Sequence, residues 1–78
     1  MKKWELNHNG NAITVESSIR GERLYVNGEL QDEQVGLALR ARLWGRLDNG
    51  EDIKVSLGGW FSINCRIFID NKLMSPNT

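Results

Sequence analysis

Three Asn-Gly pairs divide this short chain, and they constrain its fold more than any other feature. Asn-Gly is the strongest short signal for a β-hairpin, because both residues tolerate the positive φ angles of a type I′ turn. The pairs are Asn9-Gly10, Asn27-Gly28 and Asn49-Gly50, and Asp70-Asn71 occupies a comparable place near the end. Each lies between segments in which apolar and polar residues alternate, so four turns predict about six to eight strands.

The alternating segments predict strands near residues 2–6, 12–17, 22–27, 37–47, 51–57 and 63–70. Within each strand, side chains two residues apart share a face, so one apolar face per strand is expected to be buried. The predicted core is Ile13, Val15, Leu24, Val26, Ile53, Val55, Leu57, Ile63, Cys65, Ile67 and Ile69. The polar segment of residues 31–34 is expected to be a solvated connection.

Residues 34–47 are compatible with either a helix or a strand. Val35, Leu39 and Leu43 recur every four residues among good helix formers, so an α+β fold with a helix near residues 33–44 is the alternative. On a strand, one face would instead be apolar, with Leu37, Leu39, Ala41, Leu43 and Leu47. The opposite face would carry Arg40, Arg42, Trp44 and Arg46.

An internal similarity favours the strand. A shift of 40 positions aligns Trp4 with Trp44 and the first Asn-Gly turn with the third, and a shift of 43 aligns residues 23–30 with 66–73. A lone three-stranded meander leaves one apolar face wet, whereas two of them cover each other. We therefore predict an all-β fold, a small antiparallel β-sandwich or flattened barrel. It forms a single domain over residues 1–74, with repeats at about 2–30 and 37–73 and a frayed tail at 75–78.

Three segments also carry a family resemblance. Residues 4–10, 13–16 and 21–28 read Trp-Glu-Leu-Asn-His-Asn-Gly, Ile-Thr-Val-Glu and Gly-Glu-Arg-Leu-Tyr-Val-Asn-Gly. They resemble the opening tryptophan, turn, strand and second hairpin of the Fas apoptotic inhibitory molecule family, and residues 67–72 are similar to its closing turn. The resemblance covers about half of the chain and leaves out the Arg-rich residues 35–47. It implies a soluble β-sandwich that acts as a non-enzymatic interaction protein, with no catalytic residues to transfer.

Composition limits the classes of function. Ten basic and ten acidic residues cancel, so no global field draws the chain to nucleic acid or to an anionic membrane. Cys65 is the only cysteine, which fits a reducing compartment, and no apolar run is long enough to span a membrane. We expect a cytoplasmic protein without a membrane partner.

Chemistry-bearing residues are few. His8 is the only histidine, and one histidine with one cysteine cannot complete a zinc site or a recognisable nucleophile-base arrangement. Cys65 is expected to be a buried, unreactive thiol. We therefore expect no catalytic residues, no metal and no cofactor.

Two features suggest binding. Trp60 and Phe61, between glycines and a serine, form an aromatic loop that either contacts an unknown protein or small ligand or folds back onto the core. The leading hypothesis is a binding or interaction module that uses this loop.

The second feature is the polar face of the 37–47 strand. Its guanidinium groups and indole suit single-stranded nucleic acid, unless the arginines pair with acidic residues of neighbouring strands. The residues concerned are Arg40, Arg42, Trp44 and Arg46. Exposed sheet edges also leave room for a homodimer.

Overall fold

The computed structural model describes residues 1–36, 40–59 and 63–74, and every regular element in them is a β-strand. The strands are β1 (Lys2–His8), β2 (Asn11–Ser18), β3 (Gly21–Val26), β4 (Glu29–Val35), β5 (Arg40–Arg46), β6 (Asp52–Gly58), β7 (Asn64–Ile69) and β8 (Lys72–Met74). They form two antiparallel sheets, an N-terminal sheet in the order β1-β2-β3-β4 and a C-terminal sheet in the order β5-β6-β7-β8. The predicted all-β sandwich is confirmed.

The predicted turns account for much of this topology. Three of them are two-residue loops in which both residues have positive φ, as type I′ turns require. The residues are Asn9 (50°), Gly10 (81°), Asn27 (52°), Gly28 (83°), Asp70 (49°) and Asn71 (67°). Each loop joins neighbouring antiparallel strands, so each sheet is a simple meander.

The same hydrogen bonds recur at equivalent turns of the two sheets. The backbone N–H of Asn27 donates to the carbonyl of Ala12 at 2.7 Å, and the N–H of Ala12 donates to Oδ1 of Asn27 at 2.9 Å. In the C-terminal sheet, the N–H of Asp70 donates to the carbonyl of Asp52 at 2.9 Å, and the N–H of Asp52 donates to Oδ1 of Asp70 at 2.8 Å. In each sheet, a turn side chain thus links the end of the third strand to the start of the second strand.

The turn at Asn49-Gly50 differs from its counterpart at Asn9-Gly10. The N–H of Leu47 donates to the carbonyl of Glu51, and the N–H of Gly50 donates back to the carbonyl of Leu47, both at 2.9 Å. The loop therefore has three residues, 48–50, and only Gly50 among them has positive φ, at 92°. One extra residue moves the preceding strand by one position and turns its side chains to the other face.

The pairing partners and the exposure of Trp4 and Trp44 show this change of face. Trp4 pairs with Val15 and is 5% exposed, whereas Trp44 pairs with Lys54 and is 53% exposed. The two tryptophans that the sequence shift aligns both lie on strands, but one is in the core and the other faces solvent.

The inner faces of the two sheets form one hydrophobic core. Predicted core residues Ile63 and Cys65 pack against it but are only partly buried, and Leu37 and Leu39 lie outside the described residues. At one end the inner face becomes polar, since Glu22 is buried there. The buried apolar side chains are Trp4, Ile13, Val15, Leu24, Val26, Ala41, Leu43, Leu47, Ile53, Val55, Leu57, Ile67 and Ile69.

Two expectations need correction. Residues 33–35 and 40–44 are strands, so the alternative of a helix near 33–44 is wrong for the residues the structure describes. The expected solvated connection at 31–34 is part of β4, which pairs with β3 through a bulge at Gln31. Repulsion among its acidic residues is relieved by neighbours, because Glu33 accepts a hydrogen bond from Nε of Arg23 at 2.9 Å.

Side chains of β4 also satisfy the open edge of β5. Oδ2 of Asp32 accepts from the backbone N–H of Trp44 at 2.8 Å, and Oε1 of Gln31 accepts from the N–H of Arg46 at 3.4 Å. The bulge places these side chains toward the second sheet, because an extra residue re-aims those that follow. A polar seam therefore joins the two sheets and fixes the strand that carries the predicted Arg and Trp residues.

Candidate functional site

The outer face of the C-terminal sheet carries the residues predicted on the polar side of the 37–47 strand. Alternation explains their position, because Ala41 and Leu43 are buried in the core and the residues between them point the other way. All four of the predicted residues are exposed: Arg40, Arg42, Trp44 and Arg46.

Strand pairing adds further basic and polar side chains to this face. Arg42 pairs with Ser56, which pairs with Arg66, and Arg40 lies across from Gly58. Two strand spacings separate Arg42 from Arg66, about 10 Å between their backbones. The small residues between the arginines leave a shallow hollow of about 330 Å³, lined by Arg40, Arg42, Ser56, Gly58, Asn64 and Arg66 among others.

An aromatic row crosses the sheet next to this hollow. Trp44 pairs with Lys54, Lys54 with Phe68, and Phe68 with Leu73. Trp44 and Leu73 are each more than half exposed, and Phe68 is half-buried. Two aromatic rings thus flank a lysine on a solvent-facing surface. We call the whole surface the basic face, defined by Arg40, Arg42, Trp44, Arg46, Lys54, Arg66 and Phe68.

Few carboxylates balance the basic face. Among the described residues only Arg46 of this face is in an ion pair, with Nε 3.0 Å from Oδ1 of Asp52. Residues 1–36 carry four basic and six acidic side chains, and residues 37–78 carry six and four. The zero net charge of the chain therefore conceals an uneven distribution. Pairing of the arginines with acidic neighbours holds for Arg46, whereas Arg40, Arg42 and Arg66 make no ion pair with any described residue.

The other candidate residues are placed as follows. Trp60 and Phe61 lie outside the described residues, so the aromatic loop stays a prediction. Burial raises the pKa of the Cys65 thiol to about 12, as expected for a cysteine on an inner face. His8 is not isolated in its turn, because its Nε2 lies 3.3 Å from Oε1 of Glu51, the residue that immediately precedes β6 of the opposite sheet.

Glu51 is expected to make the stability of the fold depend on pH. A hydrogen bond from Asn49, at 2.6 Å, and the smaller influence of His8 lower the pKa of Glu51 below its ordinary value of 4.5. A lowered folded-state pKa means that the carboxylate stabilises the fold above pH 4.5, and that this contribution is lost as the pH falls through the folded-state pKa. We expect Glu51→Gln to lower the thermal midpoint at neutral pH and to have a smaller effect near pH 3, as scanning calorimetry can measure. An equal effect at both pH values would contradict this role.

No metal-binding cluster is found in the described part of the chain. No group of three or more His, Cys, Asp or Glu side chains is placed to hold a metal ion within residues 1–36, 40–59 and 63–74. In the same residues no helix is long and apolar enough to cross a membrane.

Sequence reasoning found the β5 part of the face and missed the rest. Lys54, Arg66 and Phe68 lie at alternate positions of strands that the sequence predicts, so their outward direction could have been inferred. Which of them stand beside Arg42 and Trp44 depends on the strand register, and the three-residue loop at 48–50 sets that register.

The fold and the face together define a small all-β protein with an exposed basic and aromatic sheet surface. A scan of protein-family models, a search of curated proteins and a search of solved structures each return no match. The resemblance to the Fas apoptotic inhibitory molecule family therefore stays a prediction.

Proposed function

We propose that this protein is a non-enzymatic binding module that contacts single-stranded nucleic acid through the basic face. The observation that supports it most is the exposure of Trp44 beside Arg42, which, like Arg40 and Arg66, makes no ion pair with a described residue. A sheet surface with exposed aromatics and cations is a recurrent way to bind unpaired bases and their phosphates.

The arginines suit the phosphates. Residues two apart on a strand are about 6.7 Å apart, so Arg40 and Arg42 present charges at an interval comparable to successive phosphates of a stretched single strand. Arg66 faces them across the hollow, with Ser56 as a neutral donor between. These three guanidinium groups have five donors each and are in no ion pair with a described residue, so together they can hold one or two phosphates.

The aromatic row suits the bases. Every base presents a π-face, so stacking on Trp44 and Phe68 would tolerate any sequence, at about 1–3 kcal/mol per base. Lys54 between the two rings adds a charge that can reach the backbone of the strand. A duplex hides its base faces, and the proposed site therefore favours single strands.

The first experiment measures binding of a fluorescently labelled single-stranded oligonucleotide by anisotropy at low and moderate salt. We expect Arg42→Gln and Arg66→Gln each to weaken binding and to lower the slope of log K against log salt by about 0.7, the value for one phosphate contact on a single strand. Trp44→Ala is expected to weaken binding about tenfold with little change in the salt slope, because it removes stacking and not charge.

Arg23→Gln is the matched control, since it removes one arginine from the outer face of the other sheet, where Arg23 pairs with Glu33. It should bind as the wild type does. Absence of binding at low salt would refute the proposal. If heparin bound as well as the oligonucleotide and Trp44→Ala had no effect, the basic face would be a surface that binds any polyanion.

A reducing, cytosolic location accords with the single cysteine and with this partner. The aromatic loop at Trp60 and Phe61 remains a separate hypothesis for a protein or small-ligand partner. Substitutions there test it independently of the basic face, because they leave every arginine of that face in place.

A further inference from the structure

The outer edge of β1 is the longest strand edge without a partner among the described residues. The edges of β4 and β5 are joined by the polar seam, and β8 has only three residues. β1 has seven residues, and it pairs on one side only, with β2. Unpaired backbone groups along such an edge are a template for a further strand.

The turn at Asn9-Gly10 determines which backbone groups point outward. In a two-residue hairpin the flanking residues, here His8 and Asn11, exchange hydrogen bonds, and hydrogen-bonded pairs then alternate along the ladder. The even-numbered residues of β1 therefore bond to β2. The N–H and C=O groups of Lys3, Glu5 and Asn7 point to the open edge.

We propose that this edge pairs with β1 of a second copy, antiparallel and centred on Trp4. This register places Lys3 of one copy opposite Glu5 of the other, twice, and it aligns the outward backbone groups of both residues. A register centred on Glu5 would set two carboxylates opposite each other. In the single chain Nζ of Lys3 is already 3.3 Å from Oε1 of Glu5, and both side chains are about half exposed or more, so the same charges are available for exchange between copies.

Antiparallel edge pairing keeps equivalent faces on the same side, because directly opposed residues share a face. The two N-terminal sheets would then form one continuous eight-stranded sheet, twice the four strands of each. Both C-terminal sheets would lie beneath it, and both basic faces would point in the same direction. The pairing itself does not depend on nucleic acid.

Charge reversal tests the register. We expect sedimentation equilibrium, without nucleic acid, to show a reversible dimer of the wild type that Lys3→Glu or Glu5→Lys weakens at least about tenfold, since each reversal turns two attractive pairs into repulsive ones. The double variant Lys3→Glu/Glu5→Lys restores opposite charges and should regain the wild-type dissociation constant to within about threefold.

Lys54→Glu is the matched control, because it makes the same charge change on β6, an inner strand of the C-terminal sheet and not part of the sheet that contains β1. It should leave the dimer unchanged, and circular dichroism should show that every variant is folded. A wild type that stays monomeric at the highest soluble concentration would overturn the proposal. So would a double variant that remains as weak as the single ones, or a control variant that dissociates equally.

Discussion

Replacing Gly21 with alanine is expected to lower the free energy of unfolding by about 3 kcal/mol or more, a large part of the stability of so small a domain. Gly21 has φ 139°, a conformation that residues with a side chain rarely adopt. A Cβ there would also overlap the backbone carbonyl oxygen of Gln34 and lie 3.0 Å from Cα of Val35. Because both contacts are backbone, the substitution must separate β3 from β4, and with it disturb the seam to β5.

Urea unfolding followed by tryptophan fluorescence measures this effect. Gly10→Ala is the control, since Gly10 also has positive φ, at 81°, but a Cβ there would have no neighbour within 4 Å. It should cost only the conformational strain, about 1–2 kcal/mol. Equal urea midpoints for the two variants would show that the close approach of β3 and β4 has no energetic weight.

Trp4→Ala is expected to affect mainly the stability of the fold, and Trp44→Ala mainly the binding of oligonucleotide. Trp4 is 5% exposed in the core, so its truncation should cost about 3–5 kcal/mol. Trp44 is 53% exposed on the basic face, so its truncation should change stability by less than about 1 kcal/mol while it weakens oligonucleotide binding.

The same pair of residues can be compared spectroscopically. In single Trp→Phe variants, the remaining fluorescence should be quenched by acrylamide more strongly when Trp44 is retained than when it is replaced. Comparable quenching in the Trp4→Phe and Trp44→Phe variants would contradict the difference in burial that the loop at 48–50 produces.

Much of the fold follows from local signals in the sequence. Type I′ turns need positive φ at both central residues, so Asn-Gly marks the hairpins, and period-two alternation then identifies the buried face of each strand. The sequence did not reveal β4, because its place in the fold depends on pairing with β3 through a bulge at Gln31 and on side-chain hydrogen bonds to the backbone of β5. Such long-range hydrogen bonds leave no periodic trace, and a polar segment then resembles a loop.

As with the fold, only part of the candidate site could be predicted from the sequence. Arg40, Arg42 and Arg46 were placed on one face by alternation alone, but the number of residues in a turn decides which neighbours stand beside them. The repeat suggested that Asn49-Gly50 is equivalent to Asn9-Gly10, and one additional loop residue makes the preceding strands differ in the face they expose. Comparison of the two repeats does not reveal this difference, because the additional loop residue changes the strand register and leaves the alternation of apolar and polar residues intact.

The asparagines at the turns have a consequence for the chemical ageing of the protein. Asparagine before glycine is prone to deamidation: the glycine nitrogen attacks the side-chain amide carbon, ammonia leaves as the succinimide ring closes, and water then opens that ring to a carboxylate. In this fold the amides of Asn27 and Asn49 are restrained, since Oδ1 of Asn27 accepts from Ala12 and Oδ1 of Asn49 accepts from Glu51, each at 2.9 Å. Cyclisation requires those bonds to break, so the rate of deamidation reports how often each turn opens. Each deamidation adds a negative charge to a chain whose formal net charge is zero. The net charge of a sample therefore shows how far it has deamidated.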